Sequence, residues 1–191
     1  MSLLVRDANG TNQYVGTACS SDGTYRYAVS QITPLATPTQ FAYVQGSATK
    51  SVRVKLLKLT GFSNAAGSMQ VQVGTTAALG TANAGTTLTT VTAVKHDTNS
   101  AAATAVVKYV QGANYDTPAT LTLVSTGRLP FSTAATSVEG VLKIDFSQNA
   151  DLAPVLRGVA EFLVVSFNGD GIPGTSNGRV DLVIETEESS A

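Results

Sequence analysis

The sequence predicts an all-β protein, an antiparallel β-sandwich with an extended N-terminal arm. Three observations predict it. First, Ala, Thr, Ser, Val and Gly run nearly end to end, and only 13% of the 191 residues are charged, against about 25% in an average globular chain. Thr and Val favour pleated, half-buried strands. Second, several segments alternate apolar and polar residues with a period of two, the signature of a strand with one face in a core. Third, Gly-rich turns separate these segments, and no long stretch carries a helical period.

The elements follow in order. Leu3–Arg6 reads as a short strand, Asp7-Ala8-Asn9-Gly10 as a tight turn, and Gln13-Tyr14-Val15 as the return strand. A second turn signal, Ser21-Asp22-Gly23, precedes Tyr25-Arg26-Tyr27-Ala28-Val29. Isolated hairpins are marginal in water, so these two pieces must lean on the body or on another subunit. Residues 31–40 contain Pro34 and Pro38 and read as an extended linker, because proline lacks a ladder donor and biases its predecessor toward extended backbone. Residues 1–40 are therefore expected to form an arm and linker, and 41–191 the body.

In the body, Val52, Val54 and Leu56 alternate with Arg53 and Lys55, but Leu57 and Leu59 then break the parity. A bulge near Leu56-Leu57 would restore it. Met69, Val71 and Val73 alternate with glutamines in a second strand. Thr87–Val94, Thr104–Val110 and Ala119–Ser125 follow as strands, with a helical turn expected at Ala101-Ala102-Ala103 and a corner at Gly127–Pro130. Val138–Phe146 is one-sided. Phe162, Leu163, Val164, Val165 and Phe167 are apolar on both faces, which marks Glu161–Phe167 as a central, doubly covered strand. The last strand, Arg179–Glu187, points Val180, Leu182 and Ile184 one way. About eight body strands make a jelly roll the expected sandwich.

Few residues are equipped for chemistry. His96-Asp97 is the one His–carboxylate neighbour pair. Adjacent strand residues point to opposite faces, and no third group completes a catalytic set, so an exposed turn is expected. One His and one Cys cannot supply the roughly four ligands of a zinc site. Asn168-Gly169-Asp170-Gly171 lacks the spaced carboxylates of a calcium loop. The acidic end, Glu185-Thr186-Glu187-Glu188, reads as a solvated edge that resists sheet-to-sheet association. No catalytic, cofactor or metal residue is assigned, and enzyme function is not expected. A single domain of this length needs no disulfide, so Cys19 is expected to be a free thiol of a protein made in a reducing cytoplasm. A net charge of −1 offers no attraction to nucleic acid or anionic membrane. The N-terminus lacks the basic and apolar regions of a signal peptide, and no run of about 18 apolar residues suggests a membrane span. Leu3, Val5, Tyr14, Tyr25 and Tyr27 are the candidate partner-binding residues, because apolar and aromatic side chains on the arm have no obvious local core.

A family resemblance adds a specific role. The runs Ser47–Val54, Leu59-Thr60-Gly61, Val94–Ala105, Val155–Glu161 and Gly178–Glu188, with the opening Val5–Thr11, resemble small virion structural proteins of tailed bacteriophages. The resemblance implies a jelly-roll body in a multi-copy particle protein, most plausibly a capsid decoration or cement protein. It implies binding to the major capsid protein or other virion proteins, a dimer or trimer on the particle, and location on the capsid surface. A neck, tail or fibre protein shares the same β-rich look. The other class of reading is a carbohydrate-binding β-sandwich, such as a host-recognition module, which would show stacked aromatics or a bound calcium.

Overall fold

The computed structural model describes residues 3–6, 12–15, 23–33, 39–82, 87–110, 115–117, 120–132, 140–147, 152–167, 173 and 178–190. Cys19, the loop 168–171 and the prolines of the expected linker lie outside these residues. The protein is all-β, and its main sheet curls on itself into a sandwich-like, jelly-roll-like body.

The strands, in chain order, are β1 (Leu3–Arg6), β2 (Asn12–Val15), β3 (Gly23–Ile32), β4 (Thr39–Gln45), β5 (Lys50–Phe62), β6 (Gly67–Thr76), β7 (Thr81–Ala82), β8 (Leu88–Thr90), β9 (Val94–Lys95), β10 (Val106–Val110), β11 (Tyr115–Thr117), β12 (Thr122–Ser132), β13 (Gly140–Asp145), β14 (Val155–Leu156), β15 (Phe162–Phe167) and β16 (Arg179–Ser190). The main sheet runs β8-β10-β4-β15-β6-β12-β5-β16-β3-β9, with β13 and β14 added to β5. Its two terminal strands, β8 and β9, are joined by residues 91–93 alone. That short link forces the sheet to curl until its ends approach, and the enclosed space is the core.

Strand parity fills that core. β16 contributes Val180, Leu182 and Ile184, β6 contributes Met69, Val71 and Val73, and β3 contributes Tyr25, Tyr27, Val29 and Ile32. The rings of Phe41 and Phe167 stack with centroids 4.2 Å apart and planes 4° from parallel. β15 lies between β4 and β6 and is buried on both faces: Leu163, Val165 and Phe167 enter the main core, and Val164 and Ser166 are buried on the other side. The two-faced apolar pattern of this strand thus has its expected cause. The expected bulge in β5 is also present. Glu185 pairs Leu56 while Thr186 pairs Val54, so Lys55 is the extra residue, and Val52, Val54, Leu57 and Leu59 all turn inward.

Several expectations are corrected. β3 is a full member of the main sheet, antiparallel to β16 from Ile32 to Gly23, so residues 23–32 belong to the body and not to an arm. Both ends of the expected linker are strand: Gln31 and Ile32 close β3, Thr39 opens β4, and Gln40 is buried, while residues 34–38 lie outside the described residues. The sheet is mixed, because the end of β12 runs parallel to β5 at Phe131↔Gly61 and Ser132↔Phe62. No corner forms at Gly127–Pro130; β12 continues through it, paired to β6 as far as Phe131↔Gly67. Close packing explains the glycines there. A Cβ on Gly140 would lie 1.6 Å from the Pro130 carbonyl oxygen, so β13 crosses β12 only where a side chain is missing. Ala101-Ala102-Ala103 form no helical turn.

Candidate functional site

The five candidate partner-binding residues separate into two groups. Leu3, Val5 and Tyr14 lie on the β1–β2 hairpin, a two-stranded sheet of its own in which Leu3 faces Val15, Leu4 faces Tyr14 and Val5 faces Gln13. Their side chains lie outside the described residues. Neither hairpin strand pairs with any strand of the body. Tyr25 and Tyr27 are different. Each is only 2% exposed, because the alternation Tyr25-Arg26-Tyr27-Ala28-Val29 turns every second side chain of β3 into the chain's own core. They are core residues and are withdrawn as contacts to a neighbour.

Both tyrosines belong to a buried polar latch. The Tyr25 hydroxyl donates to the Ala101 carbonyl at 2.9 Å, and the Tyr27 hydroxyl to the Ala105 carbonyl at 3.3 Å. Glu188 on β16 is 1% exposed. Its carboxylate accepts from Thr104 N at 2.9 Å, Thr104 Oγ1 at 2.7 Å and Ala105 N at 2.8 Å. Segment 101–105 is therefore tied to β3 and β16 by side chains where no ladder reaches it. Burial, and next the charge of Glu188, push both phenols above their ordinary range. Glu188 was expected on a solvated edge. It is buried because β16 lies between β5 and β3, and the parity of Val180, Leu182 and Ile184 continues through Thr186 to Glu188. That parity was the available signal. The latch is structural, since its donors and acceptors satisfy one another.

His96 and Asp97 form the expected exposed turn. His96 N donates to the Thr24 carbonyl at 3.0 Å, and the Asp97 carboxylate accepts from Asn99 N at 2.9 Å. Among the described residues, no group of three His, Cys, Asp or Glu side chains is placed to hold a metal ion.

One cleft of about 290 Å³ opens where β6, β12, β14 and β15 end, lined by Thr75, Thr122, Leu156, Glu161 and Phe162 among others. Its single acid, Glu161, already accepts from Arg157 N at 2.7 Å, whereas glycoside hydrolysis needs two carboxylates across the bond. Phe162 meets Tyr43 edge-on at 5.7 Å. The stacked pair Phe41–Phe167 is buried and unavailable to a sugar. Comparisons of this chain with protein-family models, with curated proteins and with solved structures give no match.

Proposed function

We propose that this chain is a non-enzymatic virion structural protein of a tailed bacteriophage, a decoration or cement protein that binds the head shell through protein–protein contacts. One observation carries the reading. The main sheet of the body closes around a core of its own, while among the described residues the β1–β2 hairpin, at the start of the chain, pairs only with itself. A hairpin of two four-residue strands gains little stability alone, so its use is to be completed by another surface. Leu3, Leu4, Val5, Tyr14 and Val15 bring apolar area to such a contact, worth about 25 cal/mol per Å² before association costs. A net charge of −1 keeps the contact insensitive to salt.

The test compares the full chain with a version beginning at Gly23, which keeps β3 and the rest of the main sheet. Both are added to purified phage heads lacking the protein. The full chain is expected to bind at a fixed copy number in low and high salt, and the shortened chain to fold but stay in solution. Equal occupancy by both would move the contact to the body. No binding of the full chain to heads, necks or tails would overturn the reading.

A further inference from the structure

The strand β3 is next to last in the main sheet, and its outer edge is only partly covered. β16 pairs with it along its length, but on the other side β9 pairs only with Tyr25 and Arg26. Which backbone groups this leaves open follows from one hydrogen bond. The Thr24 carbonyl accepts from His96 N, on the β9 side. Backbone direction alternates along a strand, so Arg26, Ala28 and Ser30 also direct N–H and C=O to that side. β9 takes Arg26. Ala28 and Ser30 are left with two donors and two acceptors that no described residue meets, and both residues are exposed.

This edge has none of the usual protections. Tyr27-Ala28-Val29-Ser30 contains no charge and no proline, the devices by which edge strands normally avoid recruiting another strand. Its outward side chains, Ala28 and Ser30, are small. At Gln31 the backbone turns left-handed, with φ of 61°, so the regular edge ends at Ser30. The open stretch is thus four residues long, and β1 and β2 are also four residues each. No described strand pairs with the hairpin's own outer edges either.

We propose that the open Tyr27–Ser30 edge of β3 receives the β1–β2 hairpin of a second copy of this chain, extending the sheet from one copy into the next. The inference rests on the reading of the hairpin as a contact device and adds to the head shell a neighbouring copy that receives it. A second copy is favoured over the chain's own hairpin by connectivity. β2 ends at Val15 and β3 starts at Gly23. A direct antiparallel return would lay β2 against the first residues of β3, where β9 already sits on Tyr25 and Arg26. A hairpin arriving from another copy has no such constraint. Main-chain bonds would supply the register, as in other strand-addition contacts, and the apolar hairpin residues the buried area.

The experiment uses the full chain in the absence of particles. Its mass is measured by sedimentation over a wide concentration range, with amide hydrogen exchange at Ala28 and Ser30. The expected result is self-association, with protection of both amides that rises with concentration. Ala28→Pro and Ser30→Pro each remove an outward N–H that bonds no described residue, and proline is tolerated at such edge positions. Both variants should keep the monomer's melting temperature and weaken association at least tenfold. The hairpin pair Leu4→Asp with Tyr14→Asp should do the same. Protection that is independent of concentration would place the chain's own hairpin on the edge and overturn the proposal. Association that survives the hairpin pair would mean edge-to-edge pairing of two β3 strands and would also overturn it. A chain that stays monomeric and unprotected yet binds phage heads would sink this inference and leave the proposed function standing. Association without binding to heads would do the reverse.

Discussion

Replacing Glu188 by Ala should be among the more damaging single changes at a polar residue of this protein. The side chain is 1% exposed and receives three donors, Thr104 N, Thr104 Oγ1 and Ala105 N. Removing it strands the buried Ala105 N–H, while the N–H and hydroxyl of Thr104, an exposed residue, can turn to water. A buried donor left without a partner costs about 1–3 kcal/mol, and a hydrogen bond to a charged group contributes about 1.5–3 kcal/mol. Segment 101–105 is expected to open to water rather than keep that group dry, which limits the loss. The net expectation is a loss of about 3–5 kcal/mol. A change of that size lowers the melting temperature by about 10 °C in a chain of this length. Glu188→Gln keeps one acceptor but turns an NH₂ toward a donor, so its loss should be intermediate. The neighbour Glu187 faces solvent and pairs with Lys55 at 3.2 Å. Exposed pairs contribute about 0–1 kcal/mol, so Glu187→Gln serves as the charge-matched control. Urea denaturation followed by circular dichroism ranks the four proteins. If Glu188→Ala and Glu187→Gln lose the same small amount, segment 101–105 is not held by Glu188 and the latch is refuted.

The remaining predictions probe packing and titration. Phe167→Ala removes a buried ring stacked on Phe41 and should cost about 3–5 kcal/mol in the same assay; Phe162→Ala, at a half-buried position, should cost markedly less. Gly140→Ala would place a methyl carbon 1.6 Å from the Pro130 carbonyl oxygen, so β13 must shift off β12, with a loss of at least about 2 kcal/mol. Asp145 is held by Lys143 at 2.7 Å and by Ser147, which lowers its pKa to about 2. Its contribution to stability is present above the ordinary carboxylate value and fades as pH falls toward 2; an NMR titration of its carboxyl should move back toward the ordinary range in Lys143→Ala. The raised Tyr25 and Tyr27 hydroxyls reverse the sign: the fold favours the protonated phenol, so stability holds below pH 10 and falls as pH rises above it. An absorbance titration should show these two ionising only as the protein unfolds, and free titration of all six tyrosines at the ordinary value would contradict their burial.

What was legible in the sequence was parity within a strand. Val180, Leu182 and Ile184 announced the inner face of β16, the two-faced run of β15 announced its central place, and Leu56-Leu57 announced a bulge that the register places at Lys55. What was not legible was which strands meet. Tyr25, Tyr27 and Val29 alternate as cleanly as any body strand, yet their partners, Thr186, Ile184 and Leu182, lie at the far end of the chain. No local pattern reports that pairing, so the aromatics looked stranded on an arm. Glu188 was missed for the opposite reason: parity placed it inside, but its acidic neighbours suggested a solvated end. At Gly127–Pro130, turn residues were read by type, although proline fits a strand wherever no donor is required of it.

The same distinction bears on function. Much of the side-chain chemistry among the described residues is spent internally: Glu188 accepts from Thr104 and Ala105, the Tyr25 and Tyr27 hydroxyls donate to the Ala101 and Ala105 carbonyls, Asp97 and Asp145 close turns, and Glu161 ties the 157–161 turn. A molecule with so few charges has little electrostatic means of recognising a partner. What the described residues leave unmet is backbone, at Ala28 and Ser30 on the edge of β3 and along both outer edges of the β1–β2 hairpin. Unpaired N–H and C=O groups demand partners whatever the side chains are. Water meets that demand at no gain, and another strand meets it while burying apolar area. The proposed recognition through sheet edges therefore has the same root as the composition, a poverty of charge that leaves the backbone as the main source of directional contacts.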